Sequence, residues 1–128
     1  MRAFEEQLAS EFVWVLRAGV PAHGIRITVR EIVVGRIGRG PLNAREVSAV
    51  VEAAVRAACR LVREMDAPEE LVDTVCRAAL EAVRGHGGES ARWLPEATST
   101  VQFVLDELAR ERAEEPAWRW LARRLPGW

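Results

Sequence analysis

The sequence predicts an all-α fold, a bundle of four longer helices plus a short C-terminal helix. Apolar residues recur at intervals of three and four along most of its length. Helix breakers fall between those periodic runs, at Gly19 and Pro21, at Pro68 and at Gly85, Gly87 and Gly88. One segment, residues 25–34, also reads as a strand, and an α+β fold is the alternative if it forms one.

The elements follow in order. Phe4, Leu8, Phe12 and Leu16 recur every fourth residue with Val15 beside them, which predicts a helix over residues 2–17. Next, Ile25, Ile27 and Val29 alternate with Arg26, Thr28 and Arg30, as in a strand. Yet Val29, Ile32, Val33 and Ile37 fit helical spacing, and Thr28 with Glu31 reads as a capping box. A helix over 25–37 is the favoured reading, against the β-branched content. Were it a strand, its edge could pair with another chain.

The third segment carries the clearest signal. Asn43 is a good N-cap with Glu46 three residues on. Val47, Val50, Val51, Ala54, Val55, Ala58, Leu61, Val62 and Met65 then hold one apolar stripe. Asp66-Ala67-Pro68 breaks it, and a fourth helix is expected over 68–84, with Leu71, Val72, Val75, Ala79 and Val83 inward. So short a connection predicts an antiparallel hairpin. A fifth helix begins near Ser90 or Pro95 and runs to Arg112, on a stripe of Leu94, Ala97, Val101, Val104, Leu105 and Leu108. Pro116 opens a short final helix that Pro126-Gly127 closes. Residues 1–115 read as the bundle and 116–128 as a Trp/Arg-rich segment of the same domain.

These stripes are rich in Ala and Val, which bury less apolar area than Leu, at roughly 25 cal/mol per Å². A monomer on this core would be modestly stable, so a homo-oligomer is expected.

The 128 residues are 49% apolar and 29% charged, enough for one domain with a core. A net charge of −1 gives no general attraction to nucleic acid, and no nucleic-acid partner is expected. All eighteen basic residues are Arg, which excludes Schiff-base chemistry and a Walker-type phosphate loop, both of which need Lys. Tyr is absent too. The longest aliphatic-aromatic run, residues 12–16, is far short of a membrane span. Glu5, Glu6 and Glu11 argue against a secretory signal, and two cysteines suit a reducing compartment, so a cytoplasmic location is expected.

Four constellations could carry chemistry. Cys59 and Cys76 sit at similar heights on the predicted hairpin but lack the paired spacing of a zinc site, and read as buried thiols. His23 and His86 lie in glycine-containing stretches with no acid at a diagnostic spacing. Arg36, Gly38 and Arg39, in a Gly-Arg-Ile-Gly-Arg-Gly run, would bind an anion if a strand preceded them and a helix followed. Glu107 and Glu111 look like a solvated face with Arg110 and Arg112 nearby. No metal or cofactor is expected.

The fifth feature is the C-terminal segment. Residues 118–128 hold three of the five Trp and three Arg with no acid. Trp and Arg dominate binding energy at interfaces. On a helix over 116–125, Trp118, Leu121, Ala122 and Leu125 share one side, which suits the protein's own core. Trp120, with Arg119, Arg123 and Arg124, is harder to bury that way, and with Trp128 these residues form the expected partner-binding set. The expected function is a non-catalytic assembly or adaptor protein that binds a protein partner or further subunits through this segment. The alternative is an amphipathic protein on a membrane or storage-body surface, for which three Arg in so short a segment give only weak anchoring. A third reading is a small enzyme or metal protein using the histidines and cysteines.

Overall fold

The computed structural model describes residues 2–19, 22–38, 43–65, 67, 69–85 and 92–114. They form five helices: α1 (Arg2–Arg17), α2 (Ala22–Ile37), α3 (Ala44–Met65), α4 (Glu70–Gly85) and α5 (Leu94–Glu114). The helices pack against one another as an all-α bundle, with no strand among the described residues. The predicted short helix over 116–125 lies outside the described residues.

Phe4, Leu8 and Phe12 of α1 are buried at the expected four-residue spacing. At its C-terminus Gly19 adopts φ 69°, and its N–H donates to the Leu16 carbonyl at 3.1 Å. That left-handed position suits glycine because a Cβ would clash with the backbone.

The ambiguous segment is a helix. Ile25, Val29, Val33 and Ile37 are all buried, one per turn, and Ile27 of the apparent strand alternation faces solvent. Helix α2 starts earlier than expected, so Thr28 is not a cap. Its hydroxyl donates back to the Gly24 carbonyl at 2.9 Å, the interior alternative open to a helical threonine. His23, read as a loop residue, falls in the first turn of α2.

Helix α3 begins as the sequence predicts. The Glu46 N–H donates to Asn43 Oδ1 at 2.9 Å, and the Val47 N–H to the Asn43 carbonyl at 3.1 Å. It touches each of the other four helices, so its buried surface extends beyond one stripe to Ala53, Ala57 and Cys59. Met65, assigned to that stripe, is exposed at the helix end. There the Ala67 N–H closes back six residues onto the Leu61 carbonyl at 3.3 Å, a helix-terminating bond.

Helix α4 starts at Glu70 and packs on α3 and, most extensively, on α2. Ala78, Ala79 and Ala82 are fully buried. Small side chains let helix backbones approach closely. Helix α5 lies along α3, with Ala97, Val101 and Val104 buried and Leu94, Leu105 and Leu108 partly so. Arg56 and Arg63 of α3 meet Glu107 and Glu111 of α5 in the same order, so the two helices run in the same direction. No helix among the described residues is long and apolar enough to cross a membrane.

Candidate functional site

The parallel pairing of α3 and α5 leaves a cleft between their N-terminal halves, with a volume of about 410 Å³. Arg45, Ser48, Ala49 and Glu52 line it from α3, and Glu96 and Phe103 from α5. On the α3 side two short residues, Ser48 and Ala49, stand between the longer Arg45 and Glu52. Further along, Arg56 and Glu107 bridge the two helices, and a smaller cavity of about 70 Å³ is lined by this pair together with Arg63 and Glu111.

Ser48 is 7% exposed, and its Oγ has no hydrogen-bond partner among the described residues. A buried hydroxyl left so costs about 1–3 kcal/mol in lost solvation. The neighbouring hydroxyls on α5 do not relieve it. Ser99 donates to the Pro95 carbonyl and Thr100 to the Glu96 carbonyl, each at 3.1 Å. Phe103 forms a wall and is 54% exposed, an aromatic ring turned away from the core. Among the described residues neither Glu96 nor Arg45 makes an ion pair, whereas Glu52 accepts from Arg56 at 3.1 Å. The cleft thus offers an aromatic wall and two groups without an ion-pair partner among the described residues, the Glu96 carboxylate and the Arg45 guanidinium.

The partner-binding set expected from the sequence, Trp118, Arg119, Trp120, Arg123, Arg124 and Trp128, lies outside the described residues. A further Trp does not: Trp14 stands 73% exposed on α1, off the Phe4, Leu8 and Phe12 face. Sequence reasoning passed over Trp14, Ser48 and Phe103. The signal was present for two of them, since Trp14 and Phe103 both sit off their helices' apolar stripes. Nothing in the sequence marks Ser48, because its burial depends on how α5 is placed.

The anion-binding reading needed a strand ahead of the glycine run. Residues 22–37 are helical instead, Gly35 lies within α2, and the Gly38 N–H donates to the Val34 carbonyl at 2.9 Å. Arg36 places its guanidinium over the Phe4 ring at 5.1 Å, a cation–π contact that joins α1 to α2. Arg39 and His86 lie outside the described residues.

Both cysteines are reduced and buried. Burial pushes the Cys76 thiol up to about 12, and the neighbouring Cys59 and Asp73 add to that rise. A thiol so disfavoured as thiolate is a poor nucleophile. No group of three or more His, Cys, Asp or Glu among the described residues is placed to hold a metal ion. Glu107 and Glu111 pair with α3 rather than with the arginines of their own helix. Burial works to lower the Arg56 pKa, but hydrogen bonds to Glu107 and Glu52 outweigh it and the net shift is upward.

The chain matches no protein-family model, no curated protein and no solved structure.

Proposed function

We propose that this chain is a non-catalytic helical assembly or adaptor protein, binding a protein partner or further subunits through residues 118–128. One observation carries the reading, the segregation of charge and Trp along the chain. Residues 1–117 hold 15 Arg against 19 acids, and the last eleven hold three Arg, three Trp and no acid. Such a segment offers large contact area with oriented donors, the composition of interface hot spots. The five described helices support it by sharing one contiguous core, to which each contributes buried side chains.

The test is deletion of residues 116–128 beside the point variant Trp120→Ala. Both are expected to keep the wild-type helical circular dichroism and to lose a cross-linked partner that the full chain retains. Collapse of the helical signal on deletion assigns the segment to the core and overturns the proposal. Flotation with liposomes that Trp120→Ala reduces replaces it with association to a lipid surface.

A further inference from the structure

We propose that Cys59 and Cys76 form a peroxide-sensitive dithiol, in which Cys59 takes the oxidising oxygen and Cys76 closes a disulfide that ties α3 to α4. The placement comes from the helices themselves. Met65 ends α3 and Glu70 opens α4, and each cysteine lies six residues from its end of that connection, about 9 Å at 1.5 Å per residue. On an antiparallel pair they therefore stand at the same height. Rotation about the helix axes agrees. At about 100° per residue, Cys76 is turned about 140° around α4 from Glu81, which binds Arg26 of α2. Cys76 is buried, and the other described helices that α4 packs on are α3 and α5. Cys59 shares a cavity wall with Val104 and Leu108, so it looks from α3 toward α5. Both side chains thus point to the place where α3, α4 and α5 meet. Cys59 is close enough that its charge works against the Cys76 thiolate. Ala58 and Ala79, fully buried beside the pair, allow the backbone approach a disulfide needs, about 4.4–6.8 Å between Cα atoms.

The two thiols differ in access. Cys59 lines the cavity of about 70 Å³, several times the roughly 10–15 Å³ that holds one water. The exposed Arg63 and Glu111 among its walls open it to solvent. Hydrogen peroxide is small enough to enter, and its polarity suits walls that carry Arg56, Arg63, Glu107 and Glu111. Cys76 is not on that wall, and burial keeps it protonated, a poor partner for peroxide. The order of events follows from this difference. The Cys59 sulfur attacks one peroxide oxygen, an S–O bond forms as the O–O bond breaks, and the departing hydroxide takes the thiol proton as water. Cys59 is then a sulfenic acid, oxidised by two electrons, and the peroxide is reduced. The Cys76 sulfur next attacks the Cys59 sulfur. An S–S bond forms, the S–O bond breaks, and a second water leaves with the Cys76 proton. Being held beside the sulfenic acid offsets the weakness of Cys76 as a nucleophile in this step.

The test exposes the reduced full chain to hydrogen peroxide, alkylates it in denaturant and digests it with trypsin. Lys is absent, so every cut follows Arg, and the two cysteines fall on separate peptides, residues 57–60 and 64–77. The expected result is a disulfide joining those two peptides in a protein that keeps its single-chain mass. In Cys76→Ser the reaction is expected to stop at Cys59, as a sulfenic acid that dimedone traps. In Cys59→Ser, loss of the remaining thiol is expected to slow at least tenfold. Circular dichroism verifies that both variants are folded, and the wild-type peptide map decides the matter even where a variant is not. Two thiols still open to alkylation after excess peroxide overturn the proposal. So does a Cys59→Ser protein that is oxidised as fast as the wild type, or a disulfide found only between chains. Oxidation that proceeds only in urea overturns it as well, because the two sulfurs would then meet only in the unfolded chain.

Discussion

Arg56 on α3 donates to the Glu107 carboxylate on α5 at 2.9 Å while it also holds Glu52, one turn back on its own helix, at 3.1 Å. This contact bridges the two parallel helices beyond the cleft lined by Ser48 and Phe103. All three side chains are partly exposed, so solvent screens the attraction. Replacing Arg56 by Ala is expected to lower stability by about 1 kcal/mol in low salt, less at high salt. A double-mutant cycle with Glu107→Gln measures the interhelical share, expected at about 0.2–1 kcal/mol. Urea unfolding at two ionic strengths checks both values.

The Asn43 side chain supplies the first acceptor of the central helix, at 2.9 Å from the Glu46 N–H. Asn43→Ala leaves that N–H to water and is expected to cost about 1 kcal/mol. Asn43→Asp keeps the acceptor and adds a charge favourable to the helix dipole, so it should stay close to wild type. The ordering of the three thermal midpoints tests the cap, since a general sensitivity of the position would lower both variants.

Packing sets opposite limits at Phe12 and Ala82. Phe12 is among the largest fully buried side chains, and Phe12→Ala is expected to cost about 3–5 kcal/mol. Ala82 is fully buried on α4, so Ala82→Leu is expected to cost about 1–3 kcal/mol through overpacking. If Ala82→Leu stabilises the protein, the helices around α4 are not closely packed. Denaturant midpoints at constant slope report each effect.

How far the sequence reveals this structure differs by element. Helix α1 and the Asn43 cap were legible because each depends on local spacing. Helix α2 was ambiguous since Ile25, Ile27 and Val29 satisfy a two-residue period, and the burial of Ile25, Val29, Val33 and Ile37 with Ile27 in solvent resolves it. Thr28 misled for a related reason, because one hydroxyl can either cap a helix or bond within it. The partners of Glu107 and Glu111 were out of reach. They sit on α3, and local sequence offered the nearer arginines of α5. The cleft was invisible for the same reason, since Ser48 and Phe103 are brought together only by the parallel register of two helices far apart in the chain.

The absence of both Lys and Tyr leaves few side chains to titrate between pH 9 and 12, chiefly the two thiols, Cys59 and Cys76. Burial first, then Cys59 and Asp73, raise the Cys76 thiol from 9.0 to about 12. Below pH 9 the folded and unfolded states both hold the proton, and this group adds no pH dependence. Between about 9 and 12 the unfolded thiol has lost its proton and the folded one retains it. Unfolding then releases a proton, so stability falls as pH rises, at a limiting slope of about 1.4 kcal/mol per pH unit. Cys76→Ala lowers stability throughout by opening a small void, but it should make the alkaline slope shallower by the share that Cys76 contributes. Urea midpoints of both proteins at pH 8, 9, 10 and 11 separate the two effects. Parallel curves would mean that the folded state lets Cys76 ionise as readily as an exposed thiol.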